Sequence, residues 1–402
     1  MQETSAKAQS RIVKTARPVL CALPFATDAP DWRGPALAED VLNEVVRLAQ
    51  ARALSHHTTF QPAFDSSPEA LTEMGVSHAL RGRFTPENSS ELTLTLNDLT
   101  TAEAQTVTVE GATLQVLADG AAQRIAGMLT EAQPPRPDWI FPPARAAEDP
   151  TIFAKLCQAR HAIWSFDRTG NEAALALVDE VLSTDPDHPA ANGYKAFLLT
   201  RAYRSGWIMG RDTVAPAIEE ACARAWKGDP QDPAILWTTA FAQGMIFRDY
   251  PLTADLVARA AALQPHGSHI LGWGSLFMTY DLNFETGLAY ARRALAISPL
   301  DPMRVTHGFA GALAAIHGGQ DAAAVELSEV ALAVNPDMKN ALRIKASALF
   351  RLGETEKARA CAAQVLKIDP KESVALAAEV NPLREWPGFS RFLEGLAGAG
   401  FP

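Results

Sequence analysis

The rhythm of apolar and polar positions changes near the middle of the chain. Over residues 17–132 short apolar runs alternate with amphipathic stretches. Pro18–Phe25 (PVLCALPF) is a compact apolar run closed by the turn residues Asp28, Pro30 and Asp31, and it predicts a strand. Leu37, Val41, Leu42, Val45, Val46 and Leu48 then recur at helical spacing. A second strand is expected over Ala53–Phe60 and a short helix over Pro68–Met74. Ser77–Phe84 and Glu91–Leu96 alternate as strands do, with Glu87–Ser90 as the turn between them. Thr106–Val109 adds a strand before a helix over Ala112–Leu129. This order predicts a small α/β domain, its sheet covered by helices.

Residues 133–150 carry Pro134, Pro135, Pro137, Pro142 and Pro143, a density that forbids helix and ladder alike and reads as a linker. From residue 151 onward the pattern is helical and periodic. Pro186, Pro230, Pro265, Pro299, Pro336 and Pro370 stand where helices should end, and subtraction of their numbers gives intervals of 44, 35, 34, 37 and 34 residues. A period near 34 marks stacked helical hairpins, none of which buries its apolar face alone. Asp185, Asp229, Asp301 and Asp369 precede prolines, where turn geometry accounts for them. The long first interval, which spans the second unit, predicts an inserted loop over Arg204–Val214. Residues 1–16 are polar and basic and are expected to form a disordered tail. Residues 373–402 are expected to cap the stack.

The repeats resemble tetratricopeptide repeats. Aligned on Pro370, the last unit has Ala346, Gly353, Ala358 and Leu366 at the places where that family needs small and bulky residues. The preceding unit has Ala312, Gly319, Ala324, Ala331 and Leu332. About six units cover residues 151–372. In this family the first helix of each pair lines an inner groove. That implies a groove of Tyr194, Arg201, Met245, His269, Tyr280, Phe309, Arg343, Phe350 and Arg351, with Leu198, Leu276 and Leu313 beside them. A mixed aromatic, aliphatic and basic groove suits an amphipathic helix or an acidic peptide.

The front segment, residues 17–132, resembles the TolB-like amino-terminal domain of many bacterial regulators. The resemblance rests on Val19–Phe25, Gly34–Ala49, Met74–Phe84 and Leu92–Thr101 in that order. Trp386–Pro402 (WPGFSRFLEGLAGAGFP) resembles the closing segment of bacterial adenylate cyclases that end in tetratricopeptide repeats. In those proteins both modules follow a cyclase or a winged-helix DNA-binding domain. Only sixteen residues precede the α/β module here, so the resemblance covers the regulatory part and not the effector.

Charge and chemistry narrow the function further. A net charge of −10 argues against a broad nucleic-acid surface, which needs clustered Lys and Arg. Cys21, Cys157, Cys222 and Cys361 are too scattered for a metal or redox motif and are expected as buried free thiols. Phosphate-loop, dinucleotide and zinc-protease motifs are absent. His56 and His57 would face opposite sides of a strand, and His266 and His269 straddle a turn. No catalytic, metal or cofactor residue is therefore assigned.

The chain lacks the apolar run of a signal peptide or a spanning helix, so a cytoplasmic location is expected. The expectation is a non-enzymatic scaffold that binds a protein or peptide partner in bacterial signalling or transcription control. No direct nucleic acid and no membrane are expected, and oligomeric state stays open. Two alternatives stand beside it. One is the regulatory half of a cyclase-like protein. The other is a small-molecule sensor using Trp139, Phe141, Trp164 and Trp207.

Overall fold

The computed structural model describes residues 17–27, 32–85, 91–130, 149–163, 165, 167–379 and 381–402. The expected tail 1–16, the turn at Glu87–Ser90, most of the proline-rich linker with Trp139 and Phe141, and Trp164 lie outside the described residues. The chain divides into two compact units, Met1–Pro186 and Asp187–Pro402.

The first unit contains a five-stranded sheet in the order β2-β1-β3-β4-β5. The strands are β1 (Val19–Ala22), β2 (Arg52–Ala53), β3 (His78–Thr85), β4 (Glu91–Asp98) and β5 (Glu103–Glu110). Strand β1 runs parallel to β2 and β3, and β3, β4 and β5 form an antiparallel meander. The helices α1 (Arg33–Ala49) and α4 (Leu114–Thr130) cover one face. Their apolar stripes pack on Leu20, Leu80, Phe84, Leu92, Leu94 and Leu96. On the other face, Leu71 of the short helix α3 (Pro68–Glu73) joins Cys21, Leu23, Leu54 and Ala79.

The strand expected over Ala53–Phe60 ends at Ala53. Ser55 turns the chain instead, its hydroxyl oxygen accepting the His57 amide at 3.3 Å, and His56–Thr59 form a one-turn helix, α2. The Thr59 hydroxyl fastens that turn by donating to the Ala22 carbonyl at 2.6 Å. Both histidines are therefore buried on one helical turn rather than alternating across a strand.

A first helical hairpin, α5 (Pro150–Ile163) and α6 (Arg168–Thr184), packs on this unit through α1 and α4. Arg160 of α5 meets two carboxylates of α1, Glu39 at 3.2 Å and Asp40 at 2.8 Å. Burial raises the Glu39 carboxyl above its ordinary value, and Arg160 opposes that shift.

The second unit is an all-α stack of five antiparallel hairpins. They are α7 (Pro189–Arg204) with α8 (Arg211–Gly228), α9 (Pro233–Ala242) with α10 (Tyr250–Leu263), and α11 (Ser268–Tyr280) with α12 (Phe284–Ile297). Next come α13 (Arg304–His317) with α14 (Asp321–Val334), and α15 (Lys339–Arg351) with α16 (Thr355–Ile368). A closing segment carries α17 (Val374–Glu379) and α18 (Ser390–Gly398). First helices touch the next first helices, α7 with α9, α11 with α13 and α13 with α15, as expected of tetratricopeptide packing.

The hairpin ends are written in local chemistry. Asp229, Asn335 and Asp369 each accept, through a side-chain oxygen, the amide two residues on, across a proline that has no amide to give. Asp232 and Asp249 cap α9 and α10, accepting the Ala234 and Leu252 amides.

Asp301 does more than turn the chain. One oxygen accepts the Met303 amide at 2.8 Å, while the other accepts the Ser268 hydroxyl at 2.6 Å and lies 3.2 Å from His307 Nε2. All three side chains are buried, so Asp301 links α11, the connecting turn and α13. Gly272 makes room for that link, because a Cβ there would sit 1.9 Å from His307 Nδ1. Gly272→Ala is expected to cost about 3 kcal/mol, the upper part of the overpacking range, since the ring it displaces is held. A urea melt checks this, and an unchanged midpoint would mean His307 moves freely.

The insertion expected over Arg204–Val214 is helical at both ends. The turn is confined to residues 205–210, and the extra length lies in α7 and α8, which have 16 and 18 residues against 13 or 14 in the last three hairpins. Gly210, at φ 85°, breaks the backbone immediately before α8. All four cysteines are free and buried, and burial pushes the Cys21 and Cys222 thiols up to about 12. Among the described residues no helix is long and apolar enough to cross a membrane.

Candidate binding face of the helical repeats

The first helices α7, α9 and α11 share a continuous run of rings. Phe197 lies 5.0 Å from Phe241, Phe241 5.2 Å from Trp273, and Trp237 5.4 Å from both Phe241 and His269. The Phe241–Trp273 and Trp237–His269 pairs are edge-on, the geometry that ring quadrupoles favour. Phe241 and Trp237 are buried, whereas Trp273 is half-exposed at the edge of the column.

Basic side chains stand over this column. The Arg201 guanidinium is 5.5 Å from the Phe197 ring centre, and that of Arg204 is 5.2 Å from Trp273. Arg204 also meets the Met245 sulfur. Arg204 is exposed by surface area, yet desolvation draws its guanidinium below the usual arginine range, with Tyr280 pulling the other way. A side chain open to water but walled by protein has those two properties together.

Tyr280 completes the wall, its ring 5.1 Å from Tyr250. Burial and then Tyr250 raise the Tyr280 phenol well above its ordinary value, so it stays a neutral hydroxyl at physiological pH.

Local backbone explains how Met245 reaches this face. After Ala242 the helix opens into a π turn, Gln243–Phe247, and ends at Arg248 in the left-handed region at φ 61°. Such single π turns are common at functional sites because they rotate side chains off the α register. Arg211 braces the turn by donating from Nε to the Ile246 carbonyl at 3.0 Å.

Of the nine groove residues expected from the repeat pattern, Met245 and Tyr280 thus meet around Arg204, and Arg201 and His269 belong to the adjoining ring column. Tyr194 is half-buried on α7, and Phe309 packs half-buried against the core of the later repeats. The last three go elsewhere. Arg343 is buried and paired with Glu372. Arg351 meets Asp321 at 2.8 Å, and Phe350 packs where a Cβ on Gly398 of α18 would touch its ring. An alanine triple variant at these positions would leave the buried Glu372 carboxylate with Lys339 alone, at 3.6 Å, and loosen α18, so it tests folding as much as binding.

The sequence pattern did not single out Arg204 or Trp273. Arg204 falls at the last residue of α7, beyond the groove-facing positions of the repeat, and Trp273 lies between the groove-facing positions His269 and Leu276. The signal that finds them is cross-helix: an arginine at the end of one first helix and an aromatic on the first helix two hairpins later. Trp207 of the proposed sensor set lies half-buried in the α7–α8 turn. Among the described residues no group of three or more His, Cys, Asp and Glu side chains could hold a metal.

No family model and no curated protein matches the chain. Solved structures that resemble part of it are helical-repeat proteins. One is YrrB, described as a tetratricopeptide protein with an unusual peptide-binding site: 13% identical, covering 50% of this chain and 97% of its own, at a TM-score of 0.39. PilF of Pseudomonas aeruginosa is 12% identical over 56% of this chain and 96% of its own, at 0.43. A human IFIT1 dimer with PPP-AAAA is 15% identical over 60% of this chain and 59% of its own, at 0.41. At this distance nothing that those proteins bind transfers to this chain.

Proposed function

We propose that the helical unit is a non-catalytic docking platform that holds a segment of a partner protein against Arg204, Met245, Trp273 and Tyr280. The observation that carries this reading is an exposed guanidinium stacked on a half-exposed tryptophan and walled by a thioether and a neutral phenol. That combination offers one charge and a broad apolar surface, which suits an acidic side chain flanked by an aliphatic or aromatic one. Arg201, Tyr194 and His269 extend the same face toward the amino-terminal end of the unit, and Phe309 toward the other.

A chain of net charge −10 favours a protein partner over a nucleic-acid backbone at this face. The sequence resemblance of the front domain and of Trp386–Pro402 to parts of bacterial regulators supports a partner in signalling or transcription control. An effector encoded on another chain fits that reading, as does a role without turnover.

Arg204→Glu is the discriminating variant, because the side chain is exposed and its reversal leaves the ring column in place. Affinity capture from cell extract with wild-type and Arg204→Glu bait, read by mass spectrometry, is expected to yield a protein with an acidic–apolar segment that the variant loses. Binding of that isolated segment should weaken at least tenfold, a factor equal to about 1.4 kcal/mol. Identical capture by both baits would remove this face from consideration.

A further inference from the structure

Strand β5 is bonded to β4 along its whole length, from Glu91 opposite Glu110 to Asp98 opposite Glu103. It is the outer strand of the sheet, and among the described residues nothing pairs with its other edge. The opposite edge strand, β2, has only two residues, the usual way to blunt an edge. Strand β5 has eight, contains no proline, and keeps register without a bulge. Such an edge is a row of amide donors and carbonyl acceptors ready for another strand.

Its surroundings specify the strand that would fit. Leu92, Leu94 and Leu96 point into the helix-covered core, so their partners Val109, Val107 and Gln105 share that face. Val107 and Val109 remain half-exposed, and Val116 of α4, which reaches Gly111 at the end of β5, is 51% exposed. A strand added here would lay alternate apolar side chains along that shelf. The open face carries hydroxyl pairs instead, Thr93 with Thr108 at 3.3 Å and Thr95 with Thr106 at 3.2 Å.

The charges name the ends. Glu91 and Glu110 stand directly opposite each other on the open face, and Asp98 and Glu103 do so on the helix-covered face. Like charges in directly opposed positions repel. Among the described residues none of Glu91, Glu103 and Glu110 makes an ion pair, and both β5 glutamates are exposed. An antiparallel β5 from a second copy would bring Glu103 beside Glu110 at each end and deepen that repulsion. A basic residue at each end would relieve it.

We propose that the free edge of β5 receives an extended segment of a partner protein bearing basic side chains seven positions apart. Seven positions span about 24 Å of strand and point to opposite faces, as Glu103 and Glu110 do. Between them the segment alternates apolar residues toward Val107 and Val109 with small polar residues toward Thr106 and Thr108. This surface belongs to the first unit and does not depend on the face around Arg204.

The test uses the full chain and two labelled peptides, Lys-Val-Thr-Val-Thr-Gln-Ala-Lys and the same sequence with Glu at both ends. Fluorescence anisotropy at low salt should favour the Lys peptide by about tenfold, and added salt should narrow the gap. Backbone hydrogen exchange should slow in β5 on binding. The double variant Glu103→Lys/Glu110→Lys should reverse the preference. Three results would overturn the proposal: no binding of the Lys peptide at about millimolar concentration, binding without protection of β5, or an unchanged preference in the double variant. Protection of β5 in a self-associated wild type would assign the edge to a second copy and overturn it equally.

Discussion

Acidification from about pH 7 to about pH 4 is expected to remove about 3 kcal/mol of stability from the helical unit for each of two histidines, His266 and His317. Both are buried, at 3% and 8% exposure. Desolvation lowers each from an ordinary 6.5 to about 4, helped by Arg293 beside His266 and Arg351 beside His317. The folded state thus holds both rings neutral while the unfolded chain protonates them from pH 6.5 downward. The contribution is complete above pH 6.5, declines between 6.5 and 4, and has no further effect below 4. Urea midpoints at several pH values check it, in wild type and in His266→Leu/His317→Phe. The wild type should weaken steeply across that window and the double variant much less. Parallel declines would place the acid sensitivity in groups other than these two histidines.

These histidines also mark the boundary of what the sequence discloses. The hairpin punctuation was legible because it is local: an Asp or Asn, a proline, and an amide two residues on are neighbours in the chain. Helix spacing likewise located first and second helices, and apolar–polar alternation located β3 and β4. Pairings across repeats were not legible in the same way. Arg343 with Glu372, Lys339 with Asp369, and Arg351 with Asp321 are each about one repeat apart, and single-unit spacing assigned both arginines to an open groove.

The candidate face shows the same limit. Met245 and Tyr280 follow from repeat position. Arg204 becomes prominent only because α7 runs long and a π turn at Gln243–Phe247 carries Met245 to it. Over Ala53–Phe60 a strand was expected, but the Ser55 cap decided the backbone. A local hydrogen bond outweighed the extended conformation there.

Phe392→Ala is expected to destabilise the last repeats by about 3 to 5 kcal/mol and to leave the first ones nearly untouched. Phe392 is 3% exposed on α18, with ring centres 5.5 Å from His317 and 5.6 Å from Phe389. Its carbonyl accepts the Ser347 hydroxyl of α15 at 3.0 Å, and Gly395, lacking a Cβ, lets α18 lie directly on Ser347. Helix α18 therefore covers the inner side of the last hairpin, where a further first helix would otherwise sit. A stack of repeats gains stability from each neighbouring interface, so loss at one end propagates inward only as far as the next interfaces resist it. Hydrogen exchange by segment distinguishes the outcomes. Protection should fall most in α15 and α16, less in α13 and α14, and hardly at all in α7 to α10. A uniform fall across all five hairpins would mean that the unit unfolds as a single cooperative block. Unchanged protection in α15 would mean that α18 covers the last repeat without supporting it.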